Sequence, residues 1–212
     1  MFRIALAALA LTAGSAGAQD LSLYGGGELE FAFDEDGPDT GTNSYLSAYL
    51  ELESRGFYAG IWGQVADDAL ADEVDLYLGY RTTLASRIGY DIGYIRYLYP
   101  NDVGDYGELT LGLEAPAGDK LSLSLDLAYD PENKLGNAYV GAAFAASDKL
   151  ELSANYGIYE VAEAPSETEW DIGATWALTD ELGVDLRYYD GSEYLGSYIG
   201  VSLAWDTTLL GG

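Results

Sequence analysis

The 212-residue sequence contains no cysteine and no histidine, and only 9 lysines and arginines. Without cysteine there is no disulfide framework, no thiolate metal site and no thiol nucleophile. Without histidine the commonest general base is missing. The 36 acidic residues outweigh the bases to a net charge of −27. A field of that sign repels nucleic acid and attracts cations, so a nucleic-acid partner is not expected. Beyond the first twenty residues no apolar run reaches the ~18 residues a spanning helix needs. There are 5 prolines, and no segment has the composition of a linker.

The N-terminus carries Arg3 ahead of an apolar stretch over 4–11, followed by Ala16-Gly17-Ala18. A charged start, a short apolar core and an A-x-A site predict a secretory signal over 1–18, with the mature chain beginning at Gln19. Fold reasoning therefore covers 19–212, read as one domain. Loss of Arg3 would leave 8 bases against 36 acids.

The rest of the chain is dominated by period-2 alternation. Over 120–130 the sequence is K-L-S-L-S-L-D-L-A-Y-D. Leucines and Tyr129 take one parity, and Ser122, Ser124, Asp126 and Ala128 take the other, as in a strand with one apolar and one polar face. The same pattern predicts about twelve strands, near 21–33, 44–53, 56–66, 73–84, 87–99, 106–115, 120–130, 138–146, 149–159, 169–178, 182–189 and 194–205. Ten would remain if two weak segments failed. Short connections, such as Ser54-Arg55 and Ser147-Asp148, alternate with mostly longer acidic ones, such as 34–43 and 160–168. All five prolines fall in or beside a connection, where no ladder N–H is required. This is the layout of an all-β, single antiparallel up-and-down transmembrane β-barrel with its short turns in the periplasm. Glycines inside the strands, as at Gly25, Gly60, Gly79, Gly93 and Gly173, suit a tightly curved sheet.

Parity divides the strands into two faces. Leu46, Leu50, Ile61, Leu76, Leu109, Ile172, Leu186 and Val201 fall on the proposed lipid side. Glu51, Trp62, Asp75, Arg81, Glu108, Asp126, Asp171, Asp185 and Arg187 fall on the proposed pore-lining side. The separation is informative because Arg or Lys facing lipid at the midplane costs ~2–4 kcal/mol. Arg96 breaks the rule by sharing a face with Ile92 and Tyr94; it either snorkels at an interface or follows a bulge. Phe57, Trp176 and Trp205 at one end, with Phe33, Tyr129, Trp170 and Tyr188 at the other, resemble two aromatic girdles.

Gly200, Leu203 and Trp205 fit a polar-x-Gly-x-x-apolar-x-aromatic pattern on the last strand, the shape read by the barrel-assembly machinery. Residues 206–212 are expected to follow as a tail. Catalysis is not expected. Enzymes built on outer-membrane barrels generally rely on histidine. Carboxylate pairs such as Asp75 with Glu108, or Asp171 with Asp185, read better as ion-pair partners of arginine than as acid and base. The acidic stretch 34–39 lacks the spacing of a calcium loop. No cofactor and no defined metal site is expected.

The segments Glu53-Ser-Arg-Gly-Phe-Tyr-Ala-Gly-Ile-Trp-Gly63, Glu73-Val-Asp-Leu-Tyr-Leu-Gly-Tyr80, Asp91-Ile-Gly-Tyr-Ile-Arg-Tyr-Leu-Tyr-Pro100 and Tyr106-Gly-Glu108 resemble the TorF-like porin family, most strongly over 53–115. The resemblance implies an outer-membrane porin of a Gram-negative cell, with no particular solute. Together with the acidic interior it sets the expectation of a passive channel for small solutes that favours cations. Membrane lipid and the assembly machinery are its other expected partners. A closed structural or loop-binding barrel and a soluble exported β-protein are the alternatives.

Overall fold

The computed structural model describes residues 21–34, 41–101, 104–192 and 196–211. The proposed signal peptide and cleavage site, and most of the acidic stretch 34–39, lie outside them. Twelve strands form one closed antiparallel barrel in which each strand pairs with its neighbours in sequence, and β1 closes on β12. They are β1 (Ser22–Asp34), β2 (Thr42–Ser54), β3 (Phe57–Ala66), β4 (Glu73–Thr83), β5 (Gly89–Leu98), β6 (Tyr106–Pro116), β7 (Leu121–Asp130), β8 (Leu135–Ala145), β9 (Leu150–Tyr159), β10 (Glu167–Ala177), β11 (Leu182–Gly191) and β12 (Tyr198–Leu210). Closure leaves no free edge, so every strand's backbone ladder is satisfied within the sheet. The only other regular element among the described residues is one short 3-10 turn over Ala69–Ala71. No helix among them is long and apolar enough to cross a membrane.

The molecule is inside-out relative to a water-soluble protein. Leu46, Phe57, Val65, Leu78, Ile172 and Trp176 are each more than half exposed on the outer face. Among the described residues the buried hydrophobics are Ala32, Tyr106 and Tyr139, whereas Glu51, Arg81, Glu108 and Asp130 are buried polar groups. An apolar surface of this extent and continuity requires an apolar environment.

The turn ends differ in kind. Arg55 and Gly56 link β2 and β3, both with positive φ (55° and 84°), as in the two-residue hairpin whose twist matches its strands. The Gly56 carbonyl accepts from Arg81 N at 2.9 Å, which fixes that turn against β4. The opposite rim carries the longer connections. Asp67 there holds Ser44 through its backbone N–H at 2.9 Å and its hydroxyl at 2.8 Å.

One expectation changes, and one open alternative is decided. The last strand does not stop at Trp205. It runs to Leu210, and Asp206, Thr207 and Thr208 pair with Gly26, Gly25 and Tyr24 of β1, ahead of a register shift at Leu23/Tyr24. Residues 206–210 are therefore part of the closing seam, held there because β1 is equally long and needs partners. The register of β5 runs without a shift on either side, so no bulge turns Arg96 inward. Arg96 faces outward near the long-connection end, where it pairs with Glu132 and donates to the Asp105 carbonyl at 3.3 Å.

Candidate functional site: the barrel interior

The strand registers place every residue of the expected lining set on the inner face, but in distinct groups. Glu51 and Glu53 near the end of β2 face Arg81 near the end of β4. Arg81 pairs with Glu51 and, at 2.7 Å, with Glu53. Its guanidinium also lies 4.5 Å from the centre of the Tyr58 ring. The Tyr58 hydroxyl donates to Asp91 at 2.5 Å. At 3 % and 8 % exposure, Glu51 and Arg81 are withdrawn from solvent, so each is the other's necessary counter-charge.

Across the barrel, Arg187 on β11 lies between Asp171 of β10 and Asp185 of its own strand. It pairs with Asp171, reaches Asp185 at 3.1 Å, and donates to the Ser153 hydroxyl at 2.8 Å. Asn155 donates to Asp171 at 3.1 Å and Thr175 to Asp185 at 2.7 Å. These two carboxylates come together as ion-pair partners of one arginine, as expected.

The half of the interior nearer the long connections is built differently. Its carboxylates are held by phenols. Tyr97 donates to Glu108 at 3.0 Å, Tyr99 to Glu73 at 3.0 Å and Tyr139 to Glu169 at 2.6 Å. Asn137 completes Glu108 at 3.1 Å. The Tyr97 and Tyr106 rings stack 4.7 Å apart. Asp75 packs beside Glu73, and one of its carboxylate oxygens is buried with no hydrogen-bond donor reaching it. Asp75 and Glu108 do not meet: Tyr97 of the intervening β5 pairs in register with Asp75 and bonds Glu108. A phenol satisfies a carboxylate without cancelling its charge, whereas an arginine does both. Trp62 also faces inward, opposite Tyr49 and Asp75, and Asp126 lies opposite Gly112 and Tyr139.

The bulky inner side chains are seated on glycines. Tyr58 faces Gly79, Tyr139 faces Gly157 and Arg187 faces Gly173 in register. A β-carbon on any of these glycines would overlap the ring or guanidinium lying across it. Rings and guanidinium therefore lie along the wall rather than across the bore. Gly200 of the proposed assembly pattern has the same role, with the Tyr189 ring 3.0 Å from where its β-carbon would lie. Leu203 and Trp205 are exposed on the outer face.

The tyrosines were absent from the expected set, although they share strand parity with the acids they hold, and that parity was the available signal. Arg87 lies in the short connection between β4 and β5. There it lines a cavity of about 390 Å³ with Lys120, Asp119 and Glu151.

Known structures share this architecture. The KdgM porin superposes with a TM-score of 0.69 at 9% identity, covering 85% of this chain and 98% of its own. The NanC porin gives 0.62 at 11%, with 87% and 100% covered. Outer-membrane phospholipase A from Escherichia coli gives 0.59 at 12%, with 85% and 89% covered. At these identities the likeness is one of fold. No curated protein matches the sequence. A family model matches residues 49–208, three quarters of the chain, and by that match the protein belongs to Gcw_chp, a family of bacterial proteins of unknown function.

Proposed function

We propose that the protein is an outer-membrane porin, a passive diffusion channel for small solutes that prefers cations. The observation that carries the reading is the treatment of the interior carboxylates. Glu73, Glu108 and Glu169 are fixed by tyrosine hydroxyls, so they are held in place without a cationic partner. Rings of such carboxylates favour cations in channels. The apolar outer face supports placement in a membrane, and the resemblance of 53–115 to TorF-like porins supports the same assignment. In this reading Glu51, Trp62, Asp75, Arg81, Glu108, Asp126, Asp171, Asp185 and Arg187 line the path. Gly200, Leu203 and Trp205 serve recognition by the assembly machinery.

The fold is shared with a phospholipase as well as with porins, so fold alone does not exclude chemistry. The absence of histidine does more, since it removes the usual base. Nor does a neighbour's ligand transfer. The KdgM porin has also been solved with oligogalacturonate, itself an acidic oligomer. The interior carboxylates of this chain would repel it.

Planar-bilayer recording under a KCl gradient tests the proposal. The reversal potential should show cation preference, and Asp75→Asn with Glu108→Gln should reduce it, more than trimming the first long connection does at 1 M salt. Anion preference, or no current from a demonstrably folded barrel, would favour a loop-binding role. Failure to fractionate with membranes would favour a soluble exported protein.

A further inference from the structure

From the distribution of charge along the barrel axis, we infer that the channel rectifies: cations pass more readily from the long-connection mouth to the short-turn mouth than in reverse. The inference rests on the channel reading above and adds a direction to it.

The axis divides into two unequal zones. Both inward-facing arginines, Arg81 and Arg187, lie in the short-turn and central part of the wall, each paired with two carboxylates. Four of the five short connections add one base each, Arg55, Arg87, Lys120 and Lys149, against Asp119, Asp148, Asp180 and Glu181. Arg87 and Lys120 line the cavity at that mouth. The wall of this half also carries inward Asp91, Glu114, Asp126 and Glu151, so it is negative too, but the other half lacks even these bases. Its inner face carries Glu73, Asp75, Glu108, Asp130 and Glu169, and no lysine or arginine among the described residues shares their inward parity there. Arg96, in that half, faces outward and is engaged by Glu132. The described long connections extend the imbalance, with Asp67, Asp68 and Asp72 in one of them and Lys134 as their lone base.

An aqueous conduit whose wall charge differs between its ends conducts unequally in its two directions. When cations are driven in from the strongly negative end, they arrive concentrated by its field and accumulate in the weaker zone. When the voltage is reversed, they are drawn away from the weaker zone faster than that end supplies them, and it becomes depleted. The effect requires a Debye length comparable to the bore. It should be present near ~0.1 M salt, where that length is about 10 Å, and nearly gone at ~1 M, where it is about 3 Å.

The test uses the refolded mature barrel in planar bilayers with equal salt on both sides. Because the chain has no cysteine, Ala85→Cys in a short connection can be tagged, and a membrane-impermeant blocker then reports which mouth faces which chamber. At about 0.1 M KCl the current should be larger, on the order of twofold, when cations move from the long-connection side, and the ratio should approach one at about 1 M. Two variants separate asymmetry from total charge. Glu73→Gln with Glu108→Gln should lower both the current ratio and the cation preference. Arg87→Gln with Lys120→Gln should lower the ratio while raising the cation preference. Heat-modifiable gel migration confirms that each variant is folded. Equal currents in both directions through an open channel, or the opposite polarity, would overturn the inference and leave the channel standing. A folded barrel that passes no current would remove both.

Discussion

Gly173 and Arg187 face each other across β10 and β11, and a β-carbon on the glycine would come within 2.7 Å of the guanidinium carbon. The arginine can lie flat between Asp171 and Asp185 only because nothing stands beneath it. The atoms that a new methyl would meet all belong to the flexible end of the Arg187 side chain. Gly173→Ala should therefore leave the fold intact while lifting the guanidinium towards the axis. The expected result is unchanged heat-modifiable migration with lower single-channel conductance and weaker cation preference. An unaltered current would mean that Arg187 does not border the path.

Among the described residues Arg81 is the sole cation paired with buried Glu51, so its loss should be costly. Arg81→Gln should destabilise the folded barrel by ~3–5 kcal/mol, because it leaves a withdrawn carboxylate uncompensated. Adding Glu51→Gln should recover part of that loss. Urea unfolding in detergent of both single variants and the double variant measures the coupling. Strictly additive effects would show that the pair does not interact.

Arg96 offers the contrasting case. Its pair with Glu132 is exposed at the outer edge of the barrel. Arg96→Ala should leave stability essentially unchanged, because solvent screens an exposed pair. It should leave ion selectivity unchanged in the KCl-gradient assay, since the side chain does not face the interior. A shift in reversal potential would show that its charge is felt inside.

The closing seam makes residues 206–210 structural. Asp206 pairs with Gly26, accepts from the Tyr49 hydroxyl at 2.8 Å, and donates its backbone N–H to the Glu181 carbonyl at 3.0 Å. Truncation after Trp205 should therefore lower the yield of folded barrel in the outer-membrane fraction about as much as Leu203→Ala with Trp205→Ala. Tyr49→Phe, which removes one of these bonds, should cost only ~0.5–1.5 kcal/mol. A truncated protein that folds at full yield would show that β1 and β12 close the barrel without this segment.

Much of the architecture was legible in the sequence because a lipid-facing strand must keep its charges on one parity. Leu121 to Tyr129 on one side and Ser122 to Ala128 on the other permit few other folds, and twelve such segments give the twelve strands observed. Parity also assigned Glu51, Asp75, Glu108 and Asp171 to one face. It could not say how far round the wall each would lie from the others, because that depends on strand register and closure. Only the tertiary structure placed Tyr97 between Asp75 and Glu108, gathered Asp171 and Asp185 on Arg187, and set Tyr58 and Tyr139 over glycines of the neighbouring strand. The end of the last strand is hidden in the sequence for the same reason. Residues 206–210 carry no strong alternation of their own, and they are held in the sheet by β1, which lies at the opposite end of the chain. The sequence by itself determined which side of the wall each residue faces. Closure of the barrel decided which of them meet, and thereby where the interior charge is cancelled and where it remains.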